Sequence, residues 1–148
     1  MAITTDEGLL LPLQDEDGAP FWEGTLQGEL RIQACGGCGR LRFPPRPMCP
    51  HCRSTESTWK PMSGRGTIWS FVVPHPPLLP AYQAVAPYNV VVVELEEDAG
   101  IRLVGNLVAT EEGTIDEVDP ATIRIGEPVR VVFQRIGKDV ALPRWVRA

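Results

Sequence analysis

The chain has 148 residues, of which 43% are hydrophobic and 22% charged, and it carries a formal net charge of −5. That balance is ordinary for a soluble globular protein. No apolar run, the longest being Val90 to Val93, approaches the roughly 20 residues that a membrane-spanning helix needs.

The charge is unevenly spread. Between Gly24 and Gly66 stand seven basic and two acidic residues, a local +5, so the remainder carries −10. A zinc ion held by four thiolates would lower the local excess to +3. Such a patch could meet a few phosphates but is a poor footprint for long nucleic acid. The N-terminus, Met1 to Glu7, lacks a basic stretch followed by an apolar core, so no secretory signal is expected and a cytoplasmic location is. Thiols stay reduced there, which favours a metal site over disulfides for the chain's four cysteines.

Residues 1–18 read as an acidic leader with one apolar interruption, Leu9 to Leu13, expected to be a loose end or a docking tail. Residues 19–30 read as a short helix or helical hairpin, with Pro20 suited to a first helical position. Phe21, Trp22, Leu26 and Leu30 follow near-helical spacing, while Gly24 and Gly28 weaken it. Phe21 and Trp22 are candidates either for packing on their own domain or for anchoring a partner.

The cysteines follow in two pairs, Cys35-Gly-Gly-Cys38 and Cys49-Pro-His-Cys52, ten residues apart. Two residues between paired thiolates let a tight turn present both sulfurs to one ion, and four sulfurs make the tetrahedral set that suits zinc. Iron in rubredoxin-like geometry is the main competitor. Gly39 supplies conformational freedom after the first pair, and His51 is expected to face solvent. With every ligand position filled by protein, the metal's role is structural. Between the pairs, Arg40, Arg42 and Arg46 lie on a proline-stiffened loop; they are either a solvated basic loop or an anion pocket.

Downstream the chain reads as strands: Thr67 to Val73, Tyr88 to Leu95, Ile101 to Val108, Thr122 to Ile125 and Val129 to Ile136. The valine run of the second predicts burial on both faces, and Val129, Val131 and Phe133 alternate as a half-buried strand. Pro74 to Tyr82 is a Pro-rich loop unable to form a central strand. Short strands with frequent turns predict an all-β fold, a small closed barrel preceded by a metal knuckle. No phosphate loop, nucleophile elbow or zinc-protease motif is present, and His75 is expected to be a surface loop residue. The chain does not read as an enzyme on its own.

The ordered set Phe21-Trp22-Glu23-Gly24, Gly28-Glu29-Leu30, the two cysteine pairs flanking Phe43-Pro44-Pro45-Arg46, Trp59 and Ser63-Gly64-Arg65-Gly66-Thr67-Ile68 resembles the DUF35 family. Pro87-Tyr88, the Val90 to Leu95 strand and Gly126 to Val129 continue the likeness. The resemblance implies a helical segment with a rubredoxin-like zinc ribbon over 19–60 and an OB-fold over 61–148. It further implies a non-catalytic partner of thiolase-superfamily enzymes that handle acyl-CoA, helping to enclose the substrate. The steroid side-chain aldolases are one such group, weakly favoured by a composition of twelve arginines and two lysines. On that reading Phe21 and Trp22 contact the partner and Arg40, Arg42 and Arg46 meet CoA phosphates. A single-stranded nucleic-acid module is the alternative, weakened by Trp69 and Phe71 having no basic neighbours in sequence; a stand-alone acyl-CoA binder is another.

Overall fold

The computed structural model describes residues 9–148; the first eight residues of the expected leader lie outside them. Helix α1 (Ala19–Leu26) opens with Pro20 in its first turn, where a missing N–H costs nothing. It ends at Gln27, and Gly28 follows at φ 74°. Leu30 therefore enters the core from an extended segment rather than from the helix. A three-stranded antiparallel sheet comes next, β1 (Arg31–Cys35), β2 (Leu41–Arg42) and β3 (Ser57–Pro61), in the order β2-β1-β3.

The second sheet has five antiparallel strands: β4 (Arg65–Val72), β5 (Val90–Leu95), β6 (Arg102–Gly105), β7 (Pro128–Ile136) and β8 (Val140–Arg147). Their order is β6-β5-β4-β7-β8. The sheet curls until the segment just after β6 meets β8 at a parallel bridge between Leu107 and Trp145, fastened by Val108 N–H to the Trp145 carbonyl at 2.8 Å and Trp145 N–H to the Asn106 carbonyl at 3.0 Å. Strand β4 makes the tight corner. Its Gly66 pairs with Leu95 on one side and Val129 on the other, and a Cβ there would lie 2.4 Å from the Glu94 carbonyl oxygen. Only glycine lets the strands approach so closely.

One core serves both sheets. Phe21, Leu30 and Ile32 belong to the same buried cluster as Ile68, Val91, Leu103 and Trp145. Helix α1 packs chiefly on β8 and β1, so it is tied to the barrel by its own apolar contacts as well as through the ribbon. A second cluster, Tyr88, Val108, Ile115, Val132 and Val146, sits outside the barrel wall. It is covered by Leu9, Leu78, Tyr82 and Val85.

Four expectations change in detail. Pro80–Ala84 forms a short helix, α2, within the Pro-rich stretch. Residues 120–122 form a 3-10 turn capped by Asp119 instead of a strand at 122–125. The valine run of β5 is buried on one face only: Val91, Val93 and Leu95 point inward while Val90, Val92 and Glu94 are half covered. Two-sided burial falls on β7 instead, where Val129, Val131 and Phe133 join the main core and Val132, Gln134 and Ile136 are buried on the other face. The cause is tertiary, since the 107–118 loop lies over β7: Gln134 donates to the carbonyls of Glu111 at 3.1 Å and Gly113 at 2.7 Å. Asn89 pins the start of that loop through a reciprocal pair with Leu107, at 2.9 and 2.7 Å.

Candidate metal centre and adjoining cleft

The two cysteine pairs fold into matching knuckles. Strand β1 delivers Cys35, whose carbonyl accepts from Gly39 N–H at 3.0 Å, while Cys35 N–H donates to Arg40 at 2.9 Å. In the second knuckle the Cys49 carbonyl accepts from Arg53 N–H at 2.9 Å and Cys49 N–H donates to Ser54 at 2.9 Å. Gly39 has φ 76° and Arg53 φ 64°. Arg53 thus repeats, without glycine's freedom, the left-handed residue that closes the first turn; no turn signal in the sequence marks it. The first cysteine of each pair is buried and the second exposed.

The four sulfurs converge, all within 4.8 Å of one another. Cys35 and Cys52 are 3.4 Å apart, Cys38 and Cys49 3.7 Å, and all four are free thiols. A regular tetrahedron with zinc–sulfur distances of ~2.3 Å has sulfur edges of ~3.8 Å, so the donor set fits that ion. Backbone N–H groups of Gly37 and Cys38 point at the Cys35 sulfur at 3.3 and 3.4 Å. The Cys38 N–H, working against burial, brings the Cys35 thiol down to about 6, and the Cys52 N–H lowers Cys49. At Cys52 the Ser54 N–H pulls down, but the crowding sulfurs, Cys35 first, together with burial push it up to about 11. Neighbouring thiols resist ionising together, and a bound dication relieves that. His51 is exposed, its Nδ1 2.8 Å from an Arg40 guanidinium nitrogen.

The arginines between the knuckles have separate tasks. Arg42 is buried, donating through Nε to Gln33 at 2.8 Å and through a terminal nitrogen to the Arg46 carbonyl at 3.0 Å. Gln33 also accepts from Arg46 N–H at 2.8 Å, so Arg42 is a strut of the loop. The side chains of Arg40 and Arg46 remain exposed.

Phe21 is buried, in edge contact with Trp22 at 4.9 Å and tilted against Phe43 at 5.5 Å; Trp22 is half-buried. All three line a cleft of about 610 Å³ that runs from α1 across the gap between β6 and β8 to Tyr82 and Tyr88. Burial raises the Tyr88 phenol, and Tyr82 adds to the shift. Arg102 also lines the cleft, and its guanidinium lies 3.9 Å over the Trp69 ring. Trp69 therefore does have a basic neighbour, brought by β6 from 33 positions away. The alternating exposure of β6 was the available signal for Arg102 and Val104, and sequence reasoning missed both. His75 is exposed on its loop, its Nδ1 2.8 Å from the Val73 carbonyl.

A family model described as the ChsH2 rubredoxin-like zinc ribbon domain matches residues 22–58, and one described as the ChsH2 C-terminal OB-fold domain matches residues 59–134. The four converging sulfurs thus belong to a zinc ribbon. Over 139 residues the chain is 38% identical to the 3-oxo-4,17-pregnadiene-20-carboxyl-CoA hydratase alpha subunit of Mycobacterium tuberculosis, covering 94% of this chain and 39% of that subunit. The chain thus spans about two fifths of that relative. Over 107 residues it is 36% identical to a DUF35 domain-containing scaffold protein of Methanocaldococcus jannaschii, covering 71% of this chain and 67% of that one. A solved structure described as the Ltp2-ChsH2(DUF35) aldolase superposes with a TM-score of 0.78 at 36% identity, covering 93% of this chain and 98% of the matched one. Among the described residues no helix is long and apolar enough to cross a membrane.

Proposed function

This chain belongs to the DUF35 family of zinc-ribbon and OB-fold proteins, and on that premise we propose that it is the accessory subunit of a thiolase-fold enzyme acting on acyl-CoA. Within that class, a retro-aldol lyase of steroid side-chain breakdown is the reading favoured here. The observation that carries it is the near-complete mutual coverage, 93% and 98%, with a chain of a structure whose description pairs ChsH2(DUF35) with Ltp2 as an aldolase. The Mycobacterium tuberculosis relative is described as a carboxyl-CoA hydratase subunit, which supports a CoA thioester as the substrate class.

In this reading residues 19–60 and 61–148 are the two functional units. Cys35, Cys38, Cys49 and Cys52 hold one zinc ion that fixes the ribbon and takes no part in chemistry, because four protein ligands leave no open position. Trp22 presents its free edge to the catalytic subunit, while Phe21 sets that edge from the core side. Arg40 and Arg46 are the arginines able to reach CoA phosphates, with Arg42 holding their loop in place. The reduced cysteines suit a cytoplasmic setting.

The test is affinity purification of the chain from its native organism, with mass spectrometry of what co-elutes. A thiolase-fold protein in stoichiometric amount, whose acyl-CoA turnover falls when this chain is removed, is the expected result. Ribosomal or replication proteins in its place would overturn the reading, and so would acyl-CoA turnover at enzyme-like rates by the isolated chain.

A further inference from the structure

We propose that the metal centre is also a peroxide-reactive modification site, at which oxidation bridges the sulfurs across the two knuckles, Cys35 to Cys52 and Cys38 to Cys49, and sets the zinc ion free. This holds whatever enzyme the chain serves.

The four thiols are of two kinds. Cys35 and Cys49 are buried, at 4% and 1% exposure. Each of their sulfurs accepts from two backbone N–H groups, those of Gly37 and Cys38 in the first knuckle and those of His51 and Cys52 in the second. Cys38 and Cys52 are exposed. Exposure opens their sulfurs to a small oxidant, while burial and N–H donors shield the other two. Each exposed sulfur also has a buried neighbour placed to resolve it: Cys35 lies 3.4 Å from Cys52, and Cys49 lies 3.7 Å from Cys38.

Both contacts run between the knuckles, and the backbone sets that approach. A Cβ on Gly37 would stand 3.2 Å from the Cys52 sulfur, and one on Gly36 would stand 2.8 Å from the Glu56 Cβ. Two adjacent glycines therefore let the second knuckle lie against the first. A disulfide is ~2.05 Å long, so each cross pair closes with a shift of less than ~2 Å. The two bridges nest, one enclosing residues 36–51 and the other residues 39–48. Closing long loops restricts an unfolded chain more than closing a two-residue turn does. Cross bridges thus keep the ribbon tip ordered after the ion leaves, whereas a bridge inside each pair would leave the knuckles untied.

The step balances with a peroxide as oxidant. The Cys52 thiolate attacks a peroxide oxygen, the O–O bond breaks, hydroxide leaves and Cys52 becomes a sulfenic acid. The Cys35 thiolate then attacks the Cys52 sulfur, the S–O bond breaks and a second hydroxide leaves. Cys38 and Cys49 repeat the sequence. Two peroxides are reduced, four thiolates become two disulfides, and the ion dissociates for want of thiolate ligands. A dithiol reductant reverses both bridges by exchange.

The experiment treats the full, zinc-loaded chain with hydrogen peroxide and reads zinc release with a chromogenic chelator against a peroxide-free control. The single zinc equivalent should be lost as two equivalents of peroxide are consumed. Trypsin without reductant then separates the pairings, because it cuts after Arg31, Arg40, Arg42 and Arg53 and spares Arg46 before Pro47. Cross bridges yield one species, residues 32–40 joined to residues 43–53, and fragmentation between Cys35 and Cys38 and between Cys49 and Cys52 assigns the partners. Amide exchange over residues 36–56 should stay slower in the oxidised chain than in the reduced, chelated one. Dithiothreitol followed by zinc should restore the lost equivalent. Two separately bridged peptides, the pairing of Cys35 with Cys49 and Cys38 with Cys52, or zinc retained under excess peroxide would each overturn the proposal.

Discussion

Between Gly36 and Glu56 only Arg42 and Cys49 are buried, whereas the barrel places Ile68, Val91, Val93, Leu107, Val129 and Trp145 at 1% exposure or less. The ribbon tip has almost no apolar surface to remove from water, so its order depends on ligand bonds to a metal. The barrel depends on area burial, worth roughly 25 cal/mol per Å² of apolar surface. The two are joined by β1, whose second residue, Ile32, is in the barrel core and whose end, Cys35, is in the knuckle. One chain thus carries two kinds of stability, joined through β1 and through Leu41, Phe43 and Trp59, which pack against the same core.

The largest effect should come from removing the metal. Structural zinc contributes apparent binding energies of ~10–16 kcal/mol in small zinc domains, so chelation, or Cys35→Ser, should release zinc and abolish amide-exchange protection in residues 36–56. Protection in β4 to β8 should persist. Loss of barrel protection on chelation would show that the two regions are one cooperative unit. From the other side, Trp145→Ala should cost ~3–5 kcal/mol as a fully buried aromatic is truncated, measured by urea denaturation. It should destabilise α1 together with the barrel, because Phe21 shares that core, while zinc content in the folded state stays at one equivalent.

A smaller effect is expected at the outer layer of the barrel. Asn89→Ala strands the buried Leu107 N–H and carbonyl and should cost ~1–3 kcal/mol, with faster exchange in residues 106–113. The smallest lies where Glu97, just after β5, meets Ser63, between β3 and β4. Burial raises the Glu97 carboxyl, but the Ser63 N–H, at 2.6 Å, and the Ser63 hydroxyl outweigh it and hold it below its ordinary value. A carboxylate depressed in the folded state stabilises above its unfolded pKa, and that stability is lost as pH falls through the folded one. For so exposed a pair the effect should be a few tenths of a kcal/mol, about the low end for surface contacts. Glu97→Gln should flatten stability against pH below about 5, the range where carboxylates titrate, and leave neutral-pH zinc binding unchanged.

Much of the site was legible because it is local. A pair of cysteines two residues apart converges by turn geometry, and two such pairs suffice for a tetrahedral set wherever they stand. Pro20 marked the start of α1 for an equally local reason, whereas the expected helical segment ran on to Leu30, past the turn at Gly28. Legibility failed where a contact joined distant segments. Arg42 looked like one of three equivalent cations, yet pairing of β1 with β2 sets it opposite Gln33, and there it is consumed as a strut. Phe21 and Trp22 are adjacent, and a helical turn sends one into the core and leaves the other half-covered.

The amino-acid sequence by itself determined the metal chemistry, the order of ribbon then barrel and the family, because ligand spacing, turn residues and strand alternation act over a few residues. Tertiary structure decided which strand is buried on both faces, that Arg102 stacks on Trp69, and that a cleft opens at the seam. Those depend on register and closure: β7 acquires its second buried face from a loop anchored by Asn89, and Arg102 reaches Trp69 across β5. No pattern within either segment encodes a partner set by the path of the whole sheet.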